Sequence, residues 1–315
     1  MAQAASRGDL AGDGHRHRRG SLHRGHRWQR RHCPGSCAGR ASRLLRGSSH
    51  ALRRRGRAVT TLSDLAAAHE FIGIRWSSGP SPDEKRTLEL ARDILDFIFA
   101  TGQSYRFEDF SHQLQEGVEP PPQGLTGLSL RLKSAERFFE RLLQPPTTAG
   151  EAARIHAILE AIRFVAATHQ YEALDVYLKH VESHGPPFVV ASFETPGEAE
   201  SWLQNHPHPP EPARILIGNR SHDVVHDRET NIRRLPRNRD IHDYLAELKQ
   251  VEPPVAIASF ATREEATTWL WEQPEPATHA WVSIAGELYL AAYYPNIGHR
   301  ALYPLSMIED ADASA

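Results

Sequence analysis

Residues 191–203 read ASFETPGEAESWL and residues 258–270 read ASFATREEATTWL, one segment written twice at a spacing of 67. Extending the comparison to residue 213 gives eleven identities over 23 positions: Ala191, Ser192, Phe193, Thr195, Glu198, Ala199, Trp202, Leu203, Pro207, Pro209 and Ala213 against their counterparts. An internal duplication therefore organises the carboxy-terminal third, and each copy has to be read as one supersecondary unit.

The identities are those a strand–helix junction needs. Phe188-Val189-Val190 and Val255-Ala256-Ile257 are apolar runs of the kind that form a buried strand. Thr195-x-x-Glu198 and Thr262-x-x-Glu265 are capping boxes that open a helix at once. Ala199, Trp202 and Leu203 recur at i, i+3, i+4, as do Ala266, Trp269 and Leu270, which puts the tryptophans on the core face rather than on a stacking platform. Pro207 and Pro274 stop the helices. A hairpin follows, from Ile215 and Ile217 through Gly218-Asn219 to Val224-Val225, and from Val282 and Ile284 through Ala285-Gly286-Glu287 to Tyr294. The expectation is a duplicated β-α-β-β module over residues 186–306 sharing one sheet, with a linking helix over residues 240–250 and an acidic tail at 307–315.

Upstream the period changes. Ser81-Pro82-Asp83-Glu84 and Thr148-Ala149-Gly150-Glu151 are capping boxes. The first leads into Leu88, Ala91, Ile94, Leu95 and Ile98, the second into Ile155, Ile158, Leu159, Ile162 and Val165. A further amphipathic run carries Leu128, Leu132, Ala135, Phe139 and Leu142, ended by Pro145-Pro146. Tyr105, Phe107 and Phe110 mark a short helix before the Pro120-Pro121-Pro122 loop, and another helix runs from about Tyr171 to His184. Residues 59–185 thus read as a bundle of four or five helices, and the whole chain as α+β.

Residues 1–58 are different again. Up to residue 57 they hold fifteen Arg, no Lys and two acids, a net of +13, against 22 basic and 37 acidic side chains in the remainder, a net of −15. So few apolar residues cannot offset the entropy of ordering, and disorder is expected. A polyanion-binding arm, a targeting leader and translated GC-rich DNA upstream of the true start all fit this composition. His32, Cys33 and Cys37 do not make a zinc spacing. With both cysteines here and no stretch near the roughly eighteen apolar residues of a membrane span, the chain is expected in the cytoplasm, without membrane contact or disulfides.

Chemistry-bearing candidates are few. Ser221-His222-Asp223 and His226-Asp227 lie on a strand, where residues four apart stand about 13 Å from each other, too far to share a metal. His180 and His184 have helical spacing but lack a third ligand. No phosphate loop or nucleophile elbow is present, so no catalytic residue, metal or cofactor is expected. From residue 186 onward the chain has 10 basic and 19 acidic side chains, which opposes nucleic-acid binding by the folded part despite the Arg233–Arg239 cluster. Arg233 and Arg300 coincide at the repeat offset. With Tyr293, Tyr294, His299 and Tyr303 they form the candidate binding surface.

The pattern of apolar strand, Ser-Phe, Thr-x-x-Glu-Ala and Trp-Leu resembles half of a SPOR-type repeat, over about 25 residues per copy. That resemblance implies a βαβ architecture and, in the family, peptidoglycan binding outside the cytoplasm behind a membrane anchor. Residues 186–305 also resemble bacterial proteins loosely labelled head protein, which carries no site with it. The function expected is non-enzymatic, an interaction or adaptor protein with a protein partner. The alternatives are a phage- or mobile-element-related structural protein and a glycan or small-ligand binder.

Overall fold

A computed structural model describes residues 61–115, 127–144, 147–251 and 253–308. The Arg-rich segment, the Pro120–Pro122 loop, the Pro145-Pro146 stop and the tail from residue 309 lie outside the described residues. The fold is α+β, as the periodicity indicates.

Among the described residues the bundle has six helices, one more than the apolar pattern suggests: α1 (Leu62–Ser77), α2 (Pro82–Ala100), α3 (Ser104–Gln115), α4 (Gly127–Leu142), α5 (Ala149–Ala167) and α6 (Tyr171–Glu182). Helix α1 escapes the pattern because alanines dilute its apolar face, although Thr61 and Asp64 form a capping box at its start. Ser81 and Thr148 cap α2 and α5 as expected, each accepting from the backbone N–H of the Glu three residues on. Phe71, Ile94, Ile98, Phe107, Phe139, Ile158 and Phe164 sit at the centre of one core. Phe107 and Phe110 both meet Phe164 edge-on, at 5.6 and 5.5 Å.

The two copies have the same elements at the same offset. Copy one contains β1 (Ala191–Phe193), α7 (Pro196–Asn205), β2 (Ala213–Ile217), β3 (Arg220–Asp227) and β4 (Ile232–Arg234). After α8 (Asp240–Val251), copy two contains β5 (Ala258–Phe260), α9 (Arg263–Glu272), β6 (His279–Ile284), β7 (Glu287–Tyr294) and β8 (His299–Pro304). Each unit is β-α-β-β-β rather than β-α-β-β. The single shared sheet of the sequence reading is replaced by two four-stranded sheets, ordered β1-β2-β3-β4 and β5-β6-β7-β8. In each, the first pair is parallel across the helix and the others are antiparallel.

Local chemistry explains the identity of the copies. Thr195 and Thr262 cap their helices by accepting from Glu198 N and Glu265 N at 3.3 and 3.2 Å. The two-residue turns hold Gly218 and Asn219 at φ 51 and 63°, and Ala285 and Gly286 at 51 and 85°, both left-handed positions as a tight hairpin requires. Trp202 lies against Phe193 at 5.3 Å and Trp269 against Phe260 at 5.4 Å, tilted by 46 and 45°.

Why two sheets instead of one is visible in the packing. The α7 face of sheet one and the α9 face of sheet two each close a small core of their own. A third core joins Val189 and Leu216 of copy one to Ile241, Leu245 and Leu248 of α8 and to Trp281, Leu290, Tyr294 and Tyr303 of copy two. The linking helix is thus wedged into the core between the copies, where it buries its apolar stripe. Met307 and Ile308 pack on the same core, so the first two residues of the expected tail belong to the folded body.

Candidate functional site

The surface expected around Arg300 is only partly a surface. Tyr294 and Tyr303 are interior, at 0 and 1% exposure, with their hydroxyls 2.8 Å apart. Burial pushes both phenols above the ordinary range. They lie on the sheet face that packs toward α8, so neither can meet a ligand. His299 joins the two copies, its Nε2 standing 3.0 Å from Asn219 Oδ1 in the turn of copy one, and burial lowers its pKa. Asn296 adds a second tie, donating from Nδ2 to Val189 O at 2.6 Å.

Arg233 and Arg300 are helix-end supports. The residues before Pro207 and Pro274 leave the helical conformation, with ψ 120° at His206 and 118° at Gln273, and their carbonyls turn free. Arg233 Nη1 donates to Leu203 O, Gln204 O and His206 O at 2.7, 2.8 and 3.0 Å. Arg300 Nη2 donates to Gln273 O at 3.0 Å. Copy two adds something that copy one lacks. The Arg300 guanidinium lies 4.8 Å from the ring centre of Trp271 and 4.9 Å from that of Tyr293. Trp271 is 53% exposed, whereas Gln204 and His226 occupy the matching positions of copy one.

The other candidates are occupied locally. His222 Nδ1 meets Leu235 O at 3.0 Å, Asp223 accepts from Asn238 Nδ2 at 2.6 Å, and Asp227 accepts from the N–H groups of Glu229 and Thr230. His180 is buried with its ring edge-on to Phe188 at 5.2 Å. Among the described residues, no cluster of three or more His, Cys, Asp or Glu could hold a metal ion, and no helix is long and apolar enough to cross a membrane.

Two features had no part in the sequence reading. The first is a built junction between the bundle and copy one. Glu211 N donates to Gly102 O at 3.0 Å, and its carbonyl accepts from Ser104 N at 3.3 Å. Tyr105 donates its hydroxyl to His226 O at 2.8 Å, and Arg228 forms a bidentate pair with Asp109 at 2.8 and 2.9 Å while covering the Tyr105 ring. Burial raises the Glu211 carboxyl to about 7, helped by Glu108 and Asp227 nearby. These residues are spread over more than a hundred positions, and no local pattern marks them.

The second feature is a difference between the copies. The apolar runs read as buried strands are in fact the lead-ins to β1 and β5. In copy one Phe188 packs on the bundle core, 5.3 Å from the Tyr177 ring, and Val190 packs on the core under α7. Their counterparts Val255 and Ile257 are 71 and 69% exposed. Pairing of the lead-ins is nonetheless the same, since Val190 N and Ile257 N donate to Arg214 O and Trp281 O, both at 2.8 Å.

No family model, curated protein or solved structure matches the chain.

Proposed function

We propose that this chain is a non-catalytic protein-interaction module in which the bundle and copy one form the support and copy two presents the binding face. The contrast between Phe188 and Val190, which are covered, and Val255 and Ile257, which are bare, carries the reading. A β-branched pair left this exposed on the lead-in to the three-residue edge strand β5 adds little to the core of copy two. Such patches in soluble proteins mark interaction sites. The reading is tested by placing a photo-crosslinking side chain at position 257 in the full chain and exposing it to an extract of the source cells. Protein adducts that excess unlabelled chain suppresses, and that an Ile257→Asp chain does not suppress, are expected. Adducts equal to those from the exposed position 74 in the bundle would defeat the reading.

One observation favours a second reading, a small-ligand or glycan site on copy two. The exposed Trp271 face, fixed from behind by Arg300, suits stacking of a sugar ring or planar group. Quenching or enhancement of tryptophan emission by a soluble glycan, lost in Trp271→Ala, would support it, and no change in the parent chain would remove it.

A further inference from the structure

The two copies agree where the fold needs agreement and part on the outer face of their helices. Along α9 the solvent side carries Glu264, Thr268, Trp271 and Glu272, spaced i, i+4, i+7 and i+8 and all exposed, with the exposed Glu275 just beyond the helix. The matching positions of copy one are Gly197, Ser201, Gln204, Asn205 and His208. Copy one holds a single acid in return, Glu200 against Thr267. The helix cap is made by Thr262 and the core by Ala266 and Leu270, so neither accounts for the contrast. Among the described residues, none forms an ion pair with Glu264, Glu272 or Glu275. Phe260 and Trp269, 5.4 Å apart, line a shallow groove along the helix together with Glu264, Glu265, Thr268 and Glu272. Beside it Trp271 already holds one guanidinium: Arg300 lies 4.8 Å from its ring centre, and the indole is still 53% exposed.

We propose that this face of α9 is a docking surface for the Arg-rich segment of the same chain, residues 1–57, which lies outside the described residues. That segment carries fifteen Arg, no Lys and a net charge of +13, against −15 on the remainder. A guanidinium stacks flat on an indole and forks onto a carboxylate, whereas an ammonium is a point charge. The surface offers both kinds of partner side by side, the ring of Trp271 and the carboxylates of Glu264 and Glu272. Tethering favours this occupant over a free basic protein, because a linked segment meets the surface at a high effective concentration. Length is no obstacle, since 57 extended residues span roughly 190 Å. The proposal does not rest on Val255 and Ile257, and it shares only Trp271 with the glycan reading.

The repeat supplies the control. A photo-crosslinking side chain is placed at position 268 of the full-length chain and, separately, at the equivalent exposed position 201. Isotopically light and heavy chains are mixed, and the adducts are mapped by mass spectrometry. Adducts from position 268 to residues 1–57 of the same chain are expected, at least about fivefold more than from position 201. They should fall by a similar factor in Trp271→Ala and in the Glu264→Gln/Glu272→Gln chain. They should fall likewise at about 1 M salt, where exposed charges are screened. All the substituted positions are exposed, so the fold tolerates the changes, which an unchanged melting temperature checks. Equal yields from 268 and 201, or yields indifferent to salt and to the two glutamine changes, overturn the proposal. So do the absence of adducts and adducts confined to light–heavy pairs, which would put the segment on a second copy. Crosslinking from position 257 can succeed or fail without altering any of these outcomes, so this proposal and the interaction reading fall separately.

Discussion

Arg233 and Arg300, 67 residues apart, perform the same task in their respective copies: each guanidinium holds the carbonyl of the residue before the helix-stopping proline, His206 O and Gln273 O, at 3.0 Å. The coincidence in the sequence is therefore a support for the turn from helix to strand. Removing it exposes unsatisfied carbonyls, with a cost set by the number of bonds lost. Arg233→Ala, which loses three contacts to helix-end carbonyls and one to Asn231 Oδ1, is expected to destabilise the fold by about 2–3 kcal/mol. Arg300→Ala, losing one contact and the stacking, should cost about 1–2 kcal/mol. Urea unfolding of the two variants measures both, and a larger loss for Arg300→Ala would contradict the ranking.

The buried pair Tyr294–Tyr303 predicts a non-additive cycle. Tyr303→Phe leaves the Tyr294 hydroxyl without its partner in the interior and should cost about 1–3 kcal/mol. The double change Tyr294→Phe/Tyr303→Phe removes both hydroxyls and is expected to come within about 1 kcal/mol of the parent. Tyr303→Ala opens a cavity instead and should cost about 3–5 kcal/mol. Denaturant titration of the parent, Tyr294→Phe, Tyr303→Phe, the double change and Tyr303→Ala tests this, and additive single changes to Phe would refute it.

Glu211 makes the junction between bundle and copy one sensitive to pH. Its carboxyl titrates near 7 in the fold against an ordinary value of 4.5, so the folded chain keeps a proton that the unfolded chain gives up. That contribution is fully present below about 4.5 and is lost as pH rises through 7, an effect on the order of 2–3 kcal/mol. The imidazoles of His180, His226, His242 and His299, all shifted down by desolvation, act in the opposite sense and destabilise as pH falls below their ordinary 6.5. The difference between parent and Glu211→Gln isolates the carboxyl. The variant should be the more stable at pH 8 and lose that advantage at pH 5. Parallel stability–pH curves would disprove the assignment.

Gly102 is the tightest backbone approach in that junction. Its φ is 67°, and a Cβ there would stand 2.6 Å from the carbonyl carbon of Pro210. Gly102→Ala is expected to cost about 2–4 kcal/mol, from the left-handed conformation together with the forced separation of the two segments. Amide exchange should rise at Ser104 and Glu211, whose N–H groups lie in this contact, before it rises inside β6 or β7. Uniform acceleration across the chain would mean that the junction is not a separable unit.

The sequence by itself determined what is local. Helix starts at Ser81, Thr148, Thr195 and Thr262, stops at Pro207 and Pro274, and the turns at Gly218-Asn219 and Ala285-Gly286 depend on contacts within four residues or on a single φ. Within residues 186–306 the duplication made these readings twice, and the tryptophans fell on the core face as their spacing required. Only the tertiary structure decided which faces are covered. Alternation along a strand tells which side chains share a face, not whether another layer lies on it. Tyr294 and Tyr303 are therefore interior because α8 lies over their part of the second sheet, whereas Val255 and Ile257, on the lead-in to its edge strand β5, remain exposed. Sheet number followed the same rule: identical units could have joined edge to edge, but the stripe of Ile241, Leu245 and Leu248 is buried by standing between two faces.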